Sequence, residues 1–240
     1  MILLQYSYLI FSLIFAVPWI IFFYIRPGWR RGMVEMGIWL ILAGLIGQTL
    51  LWRNDWWNPQ TISNTLIGFE DILHGFTAGG VALAIFSIFS KRKFYPMTKT
   101  GANNFQIVVI IGISLIATLT LFWILKINSF YATLLGSFFM WLVLLTKRRD
   151  LFFASIASGL LFMFWSILVF TIISFLSPDF VATTWKHENL FGIYILSAPL
   201  EDILFYFSTG TLVLPFYLYW KNLYFKKIRH LRNPEIASLE

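Results

Sequence analysis

The 240-residue chain contains no cysteine. That excludes disulfides, thiolate nucleophiles and cysteine-bound metals, and it leaves no redox signature of a compartment. Charge is scarce too: Asp, Glu, Lys and Arg supply 12% of the residues, against 59% hydrophobic and 20% aromatic. A soluble domain of this size could not cover its surface with so little charge. Neither GxGxxG nor GxxxxGK[ST] occurs, which removes the familiar dinucleotide and P-loop phosphate sites. The three histidines are too few for the histidine-rich site of a di-iron hydroxylase or desaturase. The last apolar run has no lysine before Lys221, at its end, which argues against a retinal Schiff base.

What is abundant is long apolar sequence. Stretches near 2–25, 33–52, 62–89, 105–125, 129–146, 151–176 and 190–220 approach or exceed the roughly 20 residues that cross a bilayer as a helix. The sequence therefore predicts an all-α integral membrane protein of seven transmembrane helices. The first run has no basic segment before it and no small-residue cleavage site after it, so it reads as a retained helix. The net charge of +7 comes from clusters between the runs and not from one face, which fits topology better than nucleic acid. Arg26, Arg30 and Arg31 follow the first run; Lys91, Arg92, Lys93 and Lys99 the third; Lys147, Arg148 and Arg149 the fifth. Lys221, Lys226, Lys227, Arg229 and Arg232 follow the seventh. The other side holds only Arg53, Lys126 and Lys186. The positive-inside rule then puts the N-terminus outside and the C-terminus in the cytoplasm.

The chain also repeats itself. Glu70-Asp71-Ile72-Leu73-His74-Gly75-Phe76-Thr77-Ala78-Gly79 aligns without gaps on Glu201-Asp202-Ile203-Leu204-Phe205-Tyr206-Phe207-Ser208-Thr209-Gly210, with six identities. Each copy follows an outer loop carrying tryptophan, Trp56 and Trp57 in one and Trp185 in the other. The expected organisation is two parallel three-helix repeats, helices 1–3 and 5–7, joined by connector helix 4. Residues 1–93 form the first repeat, 94–128 the connector and 129–240 the second repeat with a basic tail. The loop tryptophans read first as interfacial anchors, with a lid over a cavity as the alternative.

Counting residues from the starts of the apolar runs puts Glu70 and Glu201 near the bilayer centre. An ionised carboxylate there costs several kcal/mol, so each acid must face the interior, find a polar partner or keep its proton. A proton-carrying acid in a dry pocket can start a reaction. Adjacent helical residues point about 100° apart, so in each pair, Glu70/Asp71 and Glu201/Asp202, one residue is expected to work while the other supports. The glutamates are the favoured reacting groups, and a polar cluster that merely locks two helices is the competing reading. His74, one turn after Glu70, suits a proton relay or partner. A metal role is poor because His187 and His230 fall in an outer loop and the cytoplasmic tail. Phe69, Phe76, Phe205, Tyr206 and Phe207 flank the acids and offer π-faces to a cation, or simply face lipid. Pro199 would break a helix hydrogen bond at the site or kink the bundle.

At Pro199-Leu200-Glu201-Asp202-Ile203-Leu204-Phe205 the sequence resembles the heteromeric-type carotenoid cyclases, here as a fused chain of two repeats, with the motif Pro-x-Glu-(Glu/Asp)-x-x-(Phe/Leu). The first repeat departs from it at Gly68 and His74. The resemblance implies a lycopene β-cyclase. It would use no cofactor and no metal, close linear end groups to β-ionone rings by redox-neutral protonation, and have Glu201 as the acid with Asp202, Glu70 and Asp71 sharing the proton chemistry. Its expected partners are a lipophilic carotenoid in the bilayer, membrane lipids and other carotenoid biosynthesis enzymes, with no nucleic acid. The expected location is a bacterial-type cytoplasmic membrane. A cyclase for C50 carotenoids and a proton-coupled transporter are the alternatives.

Overall fold

A computed structural model describes residues 4–90, 92–97 and 104–227; Lys91, Lys99, Arg229, His230 and Arg232 lie outside them. In chain order the elements are α1 (Ser7–Ile25), α2 (Arg30–Leu50), α3 (Phe69–Ser90), β1 (Arg92–Pro96), α4 (Asn104–Leu119) and α5 (Ser129–Lys147). There follow α6 (Phe152–Leu176), the short α7 (Phe180–Thr184), β2 (Tyr194–Ile195), β3 (Ala198–Pro199), α8 (Leu200–Trp220) and β4 (Leu223–Lys227). Seven of the described helices, all but α7, are long and apolar enough to cross a membrane, and the chain is a multi-pass, seven-helix membrane protein. Large apolar side chains such as Phe105, Phe153 and Phe175 point outward, as a lipid-facing surface requires.

α3 and α8 are the central pair. α3 packs on α1 and α2, α8 packs on α5 and α6, and the two meet each other, while α4 leans on α5. The halves are built alike. α1 and α5 both begin at a serine and run 19 residues, and each is followed by an arginine that reaches the C-terminal carbonyls of the central helix of its own half. Arg26 donates to Ile88 O at 3.2 Å and Arg148 to Leu218 O at 3.4 Å, satisfying groups that a helix end leaves unpaired. Close helix approach also recurs: a Cβ on Gly79 would stand 3.0 Å from Gly37 Cα, and one on Gly210 would stand 3.0 Å from Gly159 Cα. Small residues let the backbones touch where lipid offers no hydrophobic drive to associate. After the central helices, β1 and β4 pair antiparallel with Phe94 opposite Phe225. Those two residues stand in the same relation as Glu70 and Glu201, so the ribbon lies on the pseudo-twofold axis.

The helix starts differ from the apolar runs. α3 begins at Phe69 and not near 62, and α8 at Leu200 and not near 190. The four acids therefore occupy first turns and not mid-depth positions. The residues before them fold as loops because Asn64 and Leu196 take left-handed backbone conformations that no helix continues through. Acidic residues are favoured in a first turn, where N–H groups and the positive end of the helix dipole are unopposed. Pro199 is the N-cap of α8; it neither breaks a hydrogen bond within the helix nor kinks it.

Candidate active site

The two outer loops close over the helix starts. Trp57 and Trp185 form a backbone bridge, Asn58 N–H donates to Thr184 O at 2.8 Å, and Lys186 N–H donates to Trp56 O at 2.9 Å. Trp56, Trp57 and Trp185 are 3%, 8% and 3% exposed, so they are not interfacial anchors. Trp56 and Trp57 form the roof of a cavity, Trp185 packs on Trp57 behind them, and loop hydrogen bonds hold the two loops together. Roofing buries the acids despite their position at helix ends: Glu70, Asp71, Glu201 and Asp202 are all 8% exposed or less.

Beneath the roof lies a cavity of about 330 Å³, lined by α2, α3, α4, α5 and α8. It follows α8 from Asp202 to Phe216, a run of about 21 Å at 1.5 Å per residue, so it is narrow and long. At its far end Trp39 and Phe216 meet edge-on, centroids 6.0 Å apart, with Trp220 packed on both. Most of the wall is apolar; Thr118, Thr133 and Thr209 each donate to a carbonyl one turn earlier, whereas the Ser114 hydroxyl is buried without a partner. Among the described residues α2 makes no substantial contact with α4 or α5. Leu42 and Ile46, which line the cavity on α2, are also exposed on the lipid-facing side, so the cavity opens sideways toward lipid.

Neighbouring acids have separate tasks. Asp71 and Asp202 line the cavity, whereas Glu70 and Glu201 do not. Glu70 Oε1 accepts from Ile62 N–H at 2.7 Å and Glu201 Oε1 accepts from Phe191 N–H, the same loop-to-helix tie in each repeat. The glutamates thus fix the roof, and the aspartates face the space where a substrate would lie. Their separation follows from the turn of the helix between successive residues.

Asp71 is heavily partnered. Tyr8 Oη donates to Oδ1 at 2.9 Å, Gln48 Nε2 to the same oxygen at 3.1 Å, and Gly68 N–H to Oδ2 at 2.8 Å. Asp202 is not: Trp185 and Trp56 bring their indole N–H groups beside it, but those nitrogens and Asp202 Oδ2 are buried without completing a hydrogen bond. His74 Nε2 lies 3.1 Å from the Tyr206 hydroxyl; both residues line the cavity. Phe205 stands edge-on to Trp52 and Trp56, with centroids 5.6 and 5.2 Å away, giving the acid end aromatic walls.

Of the flanking aromatics, only Phe205 and Tyr206 line the cavity. Phe69 is 67% exposed and turned away, because it precedes Glu70 on the outer side of the first turn. Phe76 packs on Trp19, and neither it nor Phe207 lines the cavity. Tyr8, Gln48, Trp52 and Trp56 are site residues that the motif did not identify. Gln48 carried the clearest signal, the one amide in the apolar run 33–52.

The family model described as "Lycopene cyclase" matches this chain twice, over residues 3–89 and 128–220. No curated protein and no solved structure matches it significantly.

Proposed function

The chain belongs to the lycopene cyclase family, and from its site we propose that it converts the linear end groups of lycopene to β-ionone rings inside the membrane, without a cofactor. The observation that carries this reading is the pair of aspartates at one end of a long apolar cavity that opens toward lipid. A polyene can enter between α2 and α4 and lie along α8 with its end group beneath the tryptophan roof. Asp202 then gives a proton to the terminal double bond. The tertiary cation is attacked by the neighbouring double bond, the six-membered ring closes, and loss of a proton leaves the ring double bond. Atoms and electrons balance without an oxidant or reductant. Phe205, Tyr206, Trp52 and Trp56 present π-faces and edges to the migrating charge, and the roof keeps out water that would quench it.

This assigns the acid to Asp202 and not to Glu201, because Glu201 holds Phe191 N–H and does not border the cavity. The predominantly apolar wall disfavours a proton-coupled transport path. The distribution of Lys and Arg supports an N-terminus outside and the acid end near the outer face of a bacterial-type cytoplasmic membrane.

The test is expression in a bacterium that accumulates lycopene, with pigments separated by chromatography. β-Carotene or its monocyclic intermediate is the expected product, and Asp202→Asn should leave lycopene. Unchanged lycopene beside well-expressed wild-type protein would overturn the reading, and C50 carotenoids would be the next substrates to supply.

A further inference from the structure

The repeat makes Asp71 and Asp202 equivalent in sequence, yet their surroundings have diverged at each donor position. α1 and α5 share one register, anchored by Ser7 on Ser129 and Arg26 on Arg148. The same register continues through α2 and α6, where Gly37 and Gly159 make the same contact. In it Tyr8 falls on Phe130 and Gln48 on Phe170. The register of α3 on α8, which sets Glu70 on Glu201, sets Gly68 on Pro199. Tyr8, Gln48 and Gly68 are the three residues that donate to Asp71. Their counterparts cannot donate: phenylalanine has no polar atom, and proline has no N–H.

The geometry points to a division of the proton chemistry, in which Asp202 is the acid that opens the reaction and Asp71 the carboxylate that takes the proton which closes it. This rests on the cyclase reading above. Of the three donors to Asp71, the Gly68 backbone N–H is fixed as a donor, and the Gln48 amide and Tyr8 hydroxyl both point a hydrogen at Oδ1. Such an arrangement holds both Asp71 oxygens in place as hydrogen-bond acceptors. Asp202 has only the Trp56 and Trp185 indole N–H groups beside it, with its Oδ2 left unpartnered, and its acid form offers an O–H to the cavity.

When that O–H bond breaks and a C–H bond forms on the substrate, the new Asp202 carboxylate has the Trp56 and Trp185 indole N–H groups beside it. After ring closure, a C–H bond next to the cationic carbon breaks. Its electrons form the ring double bond, and the proton passes to an Asp71 oxygen. Each cycle moves one proton from Asp202 to Asp71. His74 Nε2 and Tyr206 Oη, one turn beyond the two aspartates, form a polar contact between α3 and α8 through which the proton can return.

The test has one readout that does not depend on substrate. Infrared spectra of the purified full-length protein in lipid nanodiscs report the carbonyl stretch of protonated carboxyl groups. Asp202→Asn should remove one component, Asp71→Asn should keep it, and Tyr8→Phe/Gln48→Leu, which strips Asp71 of two donors, should add one. A component that Asp71→Asn removes, or none lost in Asp202→Asn, overturns the division. In the lycopene strain, Asp202→Asn should leave linear substrate. Asp71→Asn should still cyclise but shift the ring double bond, with the β-ring share of cyclised products falling at least tenfold. Wild-type products from Asp71→Asn would overturn its role. Failure of the wild type to cyclise lycopene would count against the substrate reading alone, since the infrared result stands apart from it.

Discussion

His74 Nε2 and the Tyr206 hydroxyl lie 3.1 Å apart, a contact that ties α3 to α8 across the axis of the repeat. His74 stands where the second repeat has Phe205, so the polar bond exists on one side only. His74→Phe should slow cyclisation about fivefold, the equivalent of roughly 1 kcal/mol for one lost hydrogen bond. Tyr206→Phe should cost about the same, and the double variant no more than the worse single one, as measured by initial rates in isolated membranes.

The roof ties predict a contrast between neighbouring residues. Glu201→Gln keeps a carbonyl oxygen that can accept from Phe191 N–H, so its rate should fall only a few-fold, whereas Asp202→Asn should lose about a hundredfold or more, the usual contribution of a general acid. Glu201→Leu, which cannot accept, should expose the loop to limited proteolysis. Equal losses in Glu201→Gln and Asp202→Asn would contradict the assignment.

Helix approach at the paired glycines predicts a stability effect in both halves. Gly79→Val and Gly210→Val push a side chain into the backbone of the facing helix and should each cost about 1–3 kcal/mol or more. Gly112→Ala meets nothing within 4 Å and should be neutral or slightly stabilising. Thermal unfolding in a mild detergent compares the three.

The lateral opening predicts a substrate-access defect. Leu42→Trp and Ile46→Trp enlarge side chains at the lipid-facing mouth of the cavity, so conversion should slow while melting temperature stays near that of the wild type. Unimpaired conversion in both would mean that substrate reaches the cavity elsewhere.

Outside the membrane-spanning segments, partial burial and then the Glu201 and Asp202 carboxyls hold the Tyr194 hydroxyl above its ordinary range. The neutral phenol is therefore favoured in the folded state. Its contribution to stability is intact below about pH 10, the unfolded value, and is lost as pH rises further. Tyr194→Phe should make the alkaline fall in melting temperature shallower.

The sequence alone determined the seven spans, because a helix must keep some twenty apolar residues in hydrocarbon, and it determined the repeat, because Glu70–Gly79 and Glu201–Gly210 share residues that a lipid-facing surface would not need. The start of α8 was misplaced: the apolar run from about 190 hid Pro199, which reads inside a span as a breaker or kink and proves to be the N-cap. What only the tertiary structure decided was direction and depth. Trp56, Trp57 and Trp185 read alike as anchors or roof, since a tryptophan beside a span suits either place, and the pairing of two loops more than a hundred residues apart chose the roof. Adjacent acids differ by a fraction of a helical turn, so which one faces the cavity depends on where α2, α4 and α5 stand, and that arrangement turned the aspartates inward and left the glutamates to hold the loops.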